Sequence, residues 1–308
     1  MKCIEELINN FKQQRPIRGG SLIMSIYGDA IVPRGGSVWL GSIIKLLEPL
    51  GLNQRLVRTS IFRLAKDGWL SANQVGRRSY YQITDNGLRR FQLAFKRVYG
   101  ELHPDWQGEW DLLLTSALDQ DTRTELKKQL RWQGFTSVSS GVLAHPNCDI
   151  TEMHNTLVEL NIEKKVIHMK SQLQGQSALE TLKELVSSWW ELQQLADDYQ
   201  TFIDTFTPIL AELKHEFDQS VALDPQLCFL LRTLMIHQYR KILLKDPHLP
   251  EALLPCNWVG NAARELCQNI YVLAYKQAEL YLSATQETEN GALPSVNAGF
   301  YLRFGGID

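Results

Sequence analysis

The chain has 308 residues, 44% of them hydrophobic, and a formal net charge of −2, a length and composition that suit two or three globular domains. No apolar run reaches the roughly 20 residues that cross a bilayer. Met1-Lys2-Cys3-Ile4-Glu5-Glu6 has no basic-then-apolar leader pattern, so a cytoplasmic protein without a membrane partner is expected. Cys3, Cys148, Cys228, Cys256 and Cys267 are odd in number and show no C-x-x-C spacing, which speaks against a disulfide framework and a zinc ribbon and leaves no metal or cofactor site expected.

The near-neutral total conceals an asymmetry. Residues 1–100 hold 16 Lys and Arg against 6 Asp and Glu, a net +10, while residues 101–308 hold 16 against 28, a net −12. A phosphate-binding module joined to an acidic body gives such a split, and so does a basic face that serves only solubility.

In chain order, a helix is predicted to start at Ser37, a good N-cap, and to run to Leu47, ending at Pro49-Leu50-Gly51. Asn53 caps a second helix over Gln54–Asp67, with Leu56, Val57, Ser60, Ile61 and Leu64 on one face. Turning by about 100° per residue puts Arg55, Thr59, Phe62 and Lys66 on the opposite face and Arg58 and Arg63 along its flanks. Two helices joined by a short Gly-containing turn, the second basic on its outer side, form a helix-turn-helix signature. A helix that enters the major groove needs cations for phosphates and side chains such as Arg for base edges.

Trp69-Leu70-Ser71 and Tyr80-Tyr81-Gln82-Ile83-Thr84 read as strands of a wing around Val75-Gly76-Arg77-Arg78-Ser79. An exposed Arg77-Arg78 tip has no packing reason to exist and suits phosphates or a minor groove, although a hairpin with incidental basic residues reads alike. A helix from Asp85 to about Tyr99, carrying Arg89, Arg90, Lys96 and Arg97, leads out of the domain.

After the break at Pro104-Asp105-Trp106-Gln107-Gly108, extended runs at Trp110–Thr115, Phe135–Leu143 and Lys165–Ser171 alternate with helices at Thr122–Gln133 and Ile150–Leu160. The segment reads as βαββαβ-like and of ferredoxin type, with the number of strands left open, and no nucleotide-binding glycine loop is present. Ala178 to about Leu213 forms one or two amphipathic helices. In these, Trp189 and Trp190 either pack on other helices or stack on a planar ligand. Further on, Arg232 and His237 lie in an almost wholly apolar helix and must meet acids, carbonyls or a ligand; Asp246 is one available partner, and a buried ion pair between helices meets the same need.

The chain therefore reads as α+β and mostly helical, with a winged helix-turn-helix at 1–100, a ferredoxin-like domain at 101–175 and an all-helical domain at 176–308. End to end it resembles the PaaX-type repressors of phenylacetic acid degradation operons. The resemblance rests on Ser25-Ile26-Tyr27-Gly28-Asp29, Val57-Arg58-Thr59 with Phe62-Arg63-Leu64, Gly68-Trp69-Leu70, Gly76-Arg77-Arg78-Ser79-Tyr80-Tyr81, and the segment Arg232–Gly260 with Asp246-Pro247, Leu249-Pro250 and Leu254-Pro255. Val259 departs from it, since the family more often has Trp-Pro-Gly where this chain has Trp258-Val259-Gly260.

The resemblance implies a homodimeric, non-enzymatic repressor on a palindromic double-stranded operator, released by the effector phenylacetyl-CoA. It places DNA contacts at Arg55, Arg58, Thr59 and Arg63 and at Arg77, Arg78 and Ser79; Lys66 joins them from its spacing. An acyl-CoA needs cations for its phosphates and an apolar pocket for its ring, for which Arg232, His237, Arg240, Trp258 and Arg264 are the candidates. Two enzyme classes compete with this reading. One is a metal-dependent nuclease built on Asp111, which lacks further convergent carboxylates; the other is a CoA-thioester hydrolase, which lacks a G-x-S-x-G motif.

Overall fold

Helix α1 (Lys2–Gln13) buries Ile4, Leu7, Ile8 and Phe11, the i, i+3, i+4, i+7 spacing of a single apolar stripe. Helix α2 (Gly19–Ile26) continues through short turns to Arg34. Strand β1 (Ser37–Trp39), helix α3 (Leu40–Leu47), helix α4 (Gln54–Lys66), strands β2 (Leu70–Val75) and β3 (Arg78–Ile83), and helix α5 (Asp85–Tyr99) follow. In this computed structural model residues 1–100, 106–173 and 179–307 are described.

The expected helix start at Ser37 is wrong. Ser37, Val38 and Trp39 pair antiparallel with Gln82, Tyr81 and Tyr80 of β3, and α3 begins at Leu40, with Trp39 as its extended N-cap. Strand pairing that buries Val38 completely overrides the local capping preference of a serine. The three strands are ordered β1-β3-β2.

Strand β4 (Glu109–Leu114), helix α6 (Gln120–Arg131), strands β5 (Thr136–Ser139) and β6 (Val142–His145), helix α7 (Ile150–Glu159) and strand β7 (Ile167–Gln172) keep the expected β-α-β-β-α-β order. They form an antiparallel sheet ordered β5-β6-β4-β7. Leu113, Leu126, Leu130, Leu143, Met153 and Leu157 fill the core between this sheet and its two helices. Pro104-Asp105, and the expected domain boundaries near 101 and 175, lie in or against stretches outside the described residues.

Helices α8 (Leu179–Trp189), α9 (Leu192–Asp218), α10 (Pro225–Leu243) and α11 (Val259–Thr285), a small hairpin of β8 (Glu287–Thr288) and β9 (Gly291–Ala292), and α12 (Ala298–Tyr301) complete the order. The chain is mixed α+β and mostly helical. Val259, where the family more often has Pro, is the first residue of α11; that position suits Pro because its N–H has no partner within the helix, and Val is accepted there too.

Two units emerge. The first comprises Met1–Gly100, Phe202–Lys241 and Ala263–Asp308, and the second Glu101–Thr201 and Ile242–Ala262. Each has its own core: α10 contributes Phe229, Leu231, Leu234 and Met235, buried all round its girth, to the first. In the second, Trp190 donates its indole N–H to Gly134 O at 2.8 Å and packs on Trp110, so its role there is packing.

Candidate nucleic-acid interface

The turn between α3 and α4 is a 3-10 turn over Glu48–Leu50 closed by Gly51 at φ 80°, a left-handed conformation that favours glycine. Asn53 then caps α4, its Oδ1 accepting from the Leu56 N–H at 2.8 Å, as its side chain suits it to do. Val57, Ser60, Ile61 and Leu64 are buried. Arg55, Arg58, Thr59, Phe62, Arg63 and Lys66 are exposed.

Among the described residues, no acid pairs with Arg55, Arg58, Arg63 or Lys66. Thr59 donates its hydroxyl to Arg55 O at 2.9 Å. One helix face thus presents four uncompensated cations and an exposed Phe62, 67% accessible.

The β2–β3 hairpin turns at Gly76 and Arg77, where Gly76 takes φ 60°. Arg77 is exposed at that tip and Ser79 is half-buried beside it. Arg78, however, does have a packing reason, contrary to the expectation from sequence. Its guanidinium lies 4.4 Å from the centroid of the Trp39 ring, and Nη1 pairs with Glu287 Oε2 at 2.5 Å. Asn73 on β2 donates to Glu289 Oε2 at 2.8 Å. Two carboxylates of the C-terminal hairpin therefore sit on the wing strands, where an oxygen of a phosphate would also be accepted.

Of the five residues expected for the effector, Arg232, His237, Arg240 and Arg264 belong to the first unit and Trp258 to the second. Arg232 is fully buried and pairs with Asp29 Oδ2 at 2.8 Å and Glu279 Oε1 at 2.7 Å, not with Asp246. Asp246 accepts from Tyr199 OH at 2.6 Å and from the His248 N–H at 2.7 Å. Burial, helped by Arg240 and Lys241, lowers the His237 pKa to about 3, so this ring is neutral and supplies no cation for a phosphate. Its Nδ1 lies 2.9 Å from Ser25 Oγ.

Arg264 is buried, donates to Gly100 O and lies over the Phe304 ring. Trp258 belongs to the second unit, buried edge-on against Tyr199. Arg240 is the member of the five that borders a cavity.

What sequence reasoning missed is the anchor of the first unit. Asp29, 3% exposed, accepts from Tyr99 OH at 2.7 Å, Tyr271 OH at 3.0 Å and Arg303 Nη1 at 3.0 Å while also pairing with Arg232. Burial alone would raise its pKa, but Arg232 and Arg303 outweigh it and hold the carboxyl below the ordinary range. Glu279 joins Arg34 to Arg232. A lone Asp29 within the apolar stretch from Ser25 to Ile31 was the available signal, whereas its partners lie 70 residues away at Tyr99 and 200 or more away at Arg232, Tyr271 and Arg303.

In the second unit, Asp111 pairs with His168 Nε2 at 2.8 Å and accepts from the Cys148 N–H at 3.4 Å. Among the described residues, no group of three or more His, Cys, Asp or Glu is placed to hold a metal ion. No described helix is long and apolar enough to cross a membrane, and all five cysteines are free.

A capped helix with one cationic face, set after a tight turn and followed by a hairpin with an arginine at its tip, has the charge and donor groups that the phosphates and base edges of a duplex call for. The family model described as "PaaX-like protein" matches residues 18–87, "PaaX protein central Cas2-like domain" residues 103–183 and "PaaX-like protein C-terminal domain" residues 190–284. Over 308 residues the chain is 39% identical to "Transcriptional repressor PaaX" of Escherichia coli (strain K12), covering all of this chain and 96% of that protein. A solved structure, "Uncharacterized protein Rv0674 from Mycobacterium tuberculosis", is similar at 20% identity over 77% of this chain and 88% of that one, with a TM-score of 0.49, too distant to bear on function. The chain belongs to the PaaX-like protein family.

Proposed function

We propose that this chain is a cytoplasmic, sequence-specific DNA-binding transcriptional repressor of phenylacetate catabolism genes, and not an enzyme. Residues 1–100 act as a winged helix-turn-helix, 101–175 as a ferredoxin-like domain, and 176–308 as a helical effector and dimerisation region. The observation that carries the reading is the exposed face of α4, where Arg55, Arg58, Arg63 and Lys66 have no acidic partner among the described residues. The identity to a relative bearing the repressor name supports it.

In this reading α4 enters the major groove with Arg55, Arg58, Thr59, Arg63 and Lys66, and the wing contributes Arg77, Arg78 and Ser79. Two copies related by a two-fold axis bind the half-sites of a palindromic operator. Phenylacetyl-CoA releases the DNA by binding more tightly to a different arrangement of the protein; each tenfold loss of DNA affinity requires about 1.4 kcal/mol of coupling. A DNA-shift titration with the protein's own upstream region, repeated with phenylacetate, phenylacetyl-CoA and free CoA, tests all of this. Release by the thioester alone is the expected result, and a protein that shifts no upstream fragment ends the proposal.

A further inference from the structure

Among the cations on the outer face of α4 stands one aromatic side chain. Phe62 is 67% accessible, and among the described residues no ring stacks on it and no cation covers it. The half-buried Trp39 and Trp69 of the same unit are each covered by a guanidinium, Arg78 at 4.4 Å from the one centroid and Arg90 at 5.0 Å from the other. A phenylalanine left this open forgoes apolar burial that folding would otherwise gain. Single exposed apolar residues are common on soluble proteins, so the place of Phe62 on its helix decides its meaning.

At about 100° per residue, Arg55, Thr59, Phe62 and Lys66 fall within one narrow strip along α4, with Arg58 and Arg63 on its two sides. Phe62 lies about 20° round the helix from Arg55 and about 40° from Arg58, so the ring stands inside the cationic face and not at its margin. The opposite, buried face is made by Val57, Ser60, Ile61 and Leu64.

A second copy of the same face is a poor occupant, because a two-fold contact would set the cations of one copy against those of the other. A duplex suits both features. Its phosphates take the cations, and its major groove offers, beside donors and acceptors, one apolar group, the C5 methyl of thymine. A phenyl ring has no donor or acceptor for the edges of G, C or A. The methyl is therefore the group on a base pair that the ring covers without leaving a polar edge unpaired.

We propose that Phe62 is a specificity-determining residue of α4, packing on the C5 methyl of one thymine in each half-site and excluding water from it. The proposal deepens the repressor reading and rests on it, since it takes α4 as the helix in the groove. Phe62 follows Arg55 by seven residues, about 10 Å along the helix at roughly 1.5 Å per residue. Successive bases of a strand are about 3.4 Å apart, which puts the thymine about three base pairs from the one that Arg55 meets.

A scan of thymine methyls tests it. Each thymine of the bound upstream fragment is replaced in turn by deoxyuridine, which removes the methyl and keeps the pairing, and the full chain is titrated by fluorescence anisotropy. One thymine per half-site should weaken wild-type binding about fourfold, the worth of one buried carbon, and replacement of both roughly fifteenfold. Phe62→Ala should bind the natural fragment more weakly and lose the penalty at those same positions. Its melting curve should stay close to that of wild type, because the ring is exposed and alanine favours a helix. Phe62→Leu should keep part of the penalty. A wild-type scan that is flat at every thymine, or a penalty unchanged in Phe62→Ala, would overturn the proposal. So would a Phe62→Ala chain that falls from dimer to monomer in sedimentation while keeping the penalty, since the ring would then face a second copy. Failure to shift any upstream fragment removes the repressor reading and this proposal together, whereas binding that weakens with salt but ignores the methyls removes this proposal alone.

Discussion

Arg58→Ala should make DNA binding less sensitive to salt by a predictable amount. On α4 and at the hairpin tip, five exposed cations, Arg55, Arg58, Arg63, Lys66 and Arg77, have no acidic partner among the described residues and are counted as the phosphate contacts of one chain in the proposed reading. Each phosphate neutralised contributes about −0.9 to the slope of log K against log salt, so five contacts give about −4.5 per chain and two chains on one operator about −9. Removing Arg58 takes away one contact per chain, which makes the slope shallower by about 1.8 for two chains. Between about 50 and 200 mM salt the affinity gap between variant and wild type then narrows roughly twelvefold. Fluorescence anisotropy on a labelled upstream fragment, at five or six salt concentrations, measures it. Lys128→Ala is the control, since Lys128 lies exposed on α6 in the second unit and its loss changes net charge equally. An unchanged slope in Arg58→Ala, or the same change in Lys128→Ala, refutes α4 as the reading helix.

Three further outcomes follow from the geometry. Asn53→Ala removes the Oδ1 acceptor of the Leu56 N–H and should cost about 1 kcal/mol of local stability, seen as faster amide exchange in the first turn of α4. Asp29→Asn leaves Arg303 without a carboxylate and should lower unfolding stability by about 3–5 kcal/mol in urea titration. Because the Asp29 pKa is lowered in the folded state, its contribution is full above the ordinary Asp value of about 3.9 and is lost as pH falls through the lower folded value. The acid limb of the wild-type stability curve should accordingly be flatter in Asp29→Asn, and an unaltered limb would remove Asp29 as its source. Glu287→Gln frees Arg78 from its carboxylate and should tighten operator binding by a few-fold at most, the scale of an exposed ion pair; weaker binding would mean that Glu287 orders the wing and does not compete with phosphate.

The residues of the proposed DNA-contacting helix and hairpin were legible because most are specified locally. Asn53 before an apolar repeat, Arg55 and Lys66 opposite it, and a glycine turn between two strands follow from spacing within some 30 residues. The strands and helices of 109–172 were legible for the same reason, except that the single extended run expected over Phe135–Leu143 is the hairpin of β5 and β6. Ser37 misled because a helix cap and a strand end present the same local chemistry, and only β3, some 40 residues on, decides between them. Arg78 misled because its partners, Trp39 and Glu287, are both distant in sequence.

By itself the amino-acid sequence determined that Asn53 opens α4, which face of α4 carries cations, and that Arg232 and His237 must find partners. Only the tertiary structure decided which partners: Asp29 and Glu279 for Arg232, a serine hydroxyl for a neutral His237, and neutral oxygens alone for Arg240. The physical reason is range. Capping and apolar periodicity act over one or two helical turns, whereas the compensation of a buried charge depends on which distant segments packing brings within about 3 Å of it.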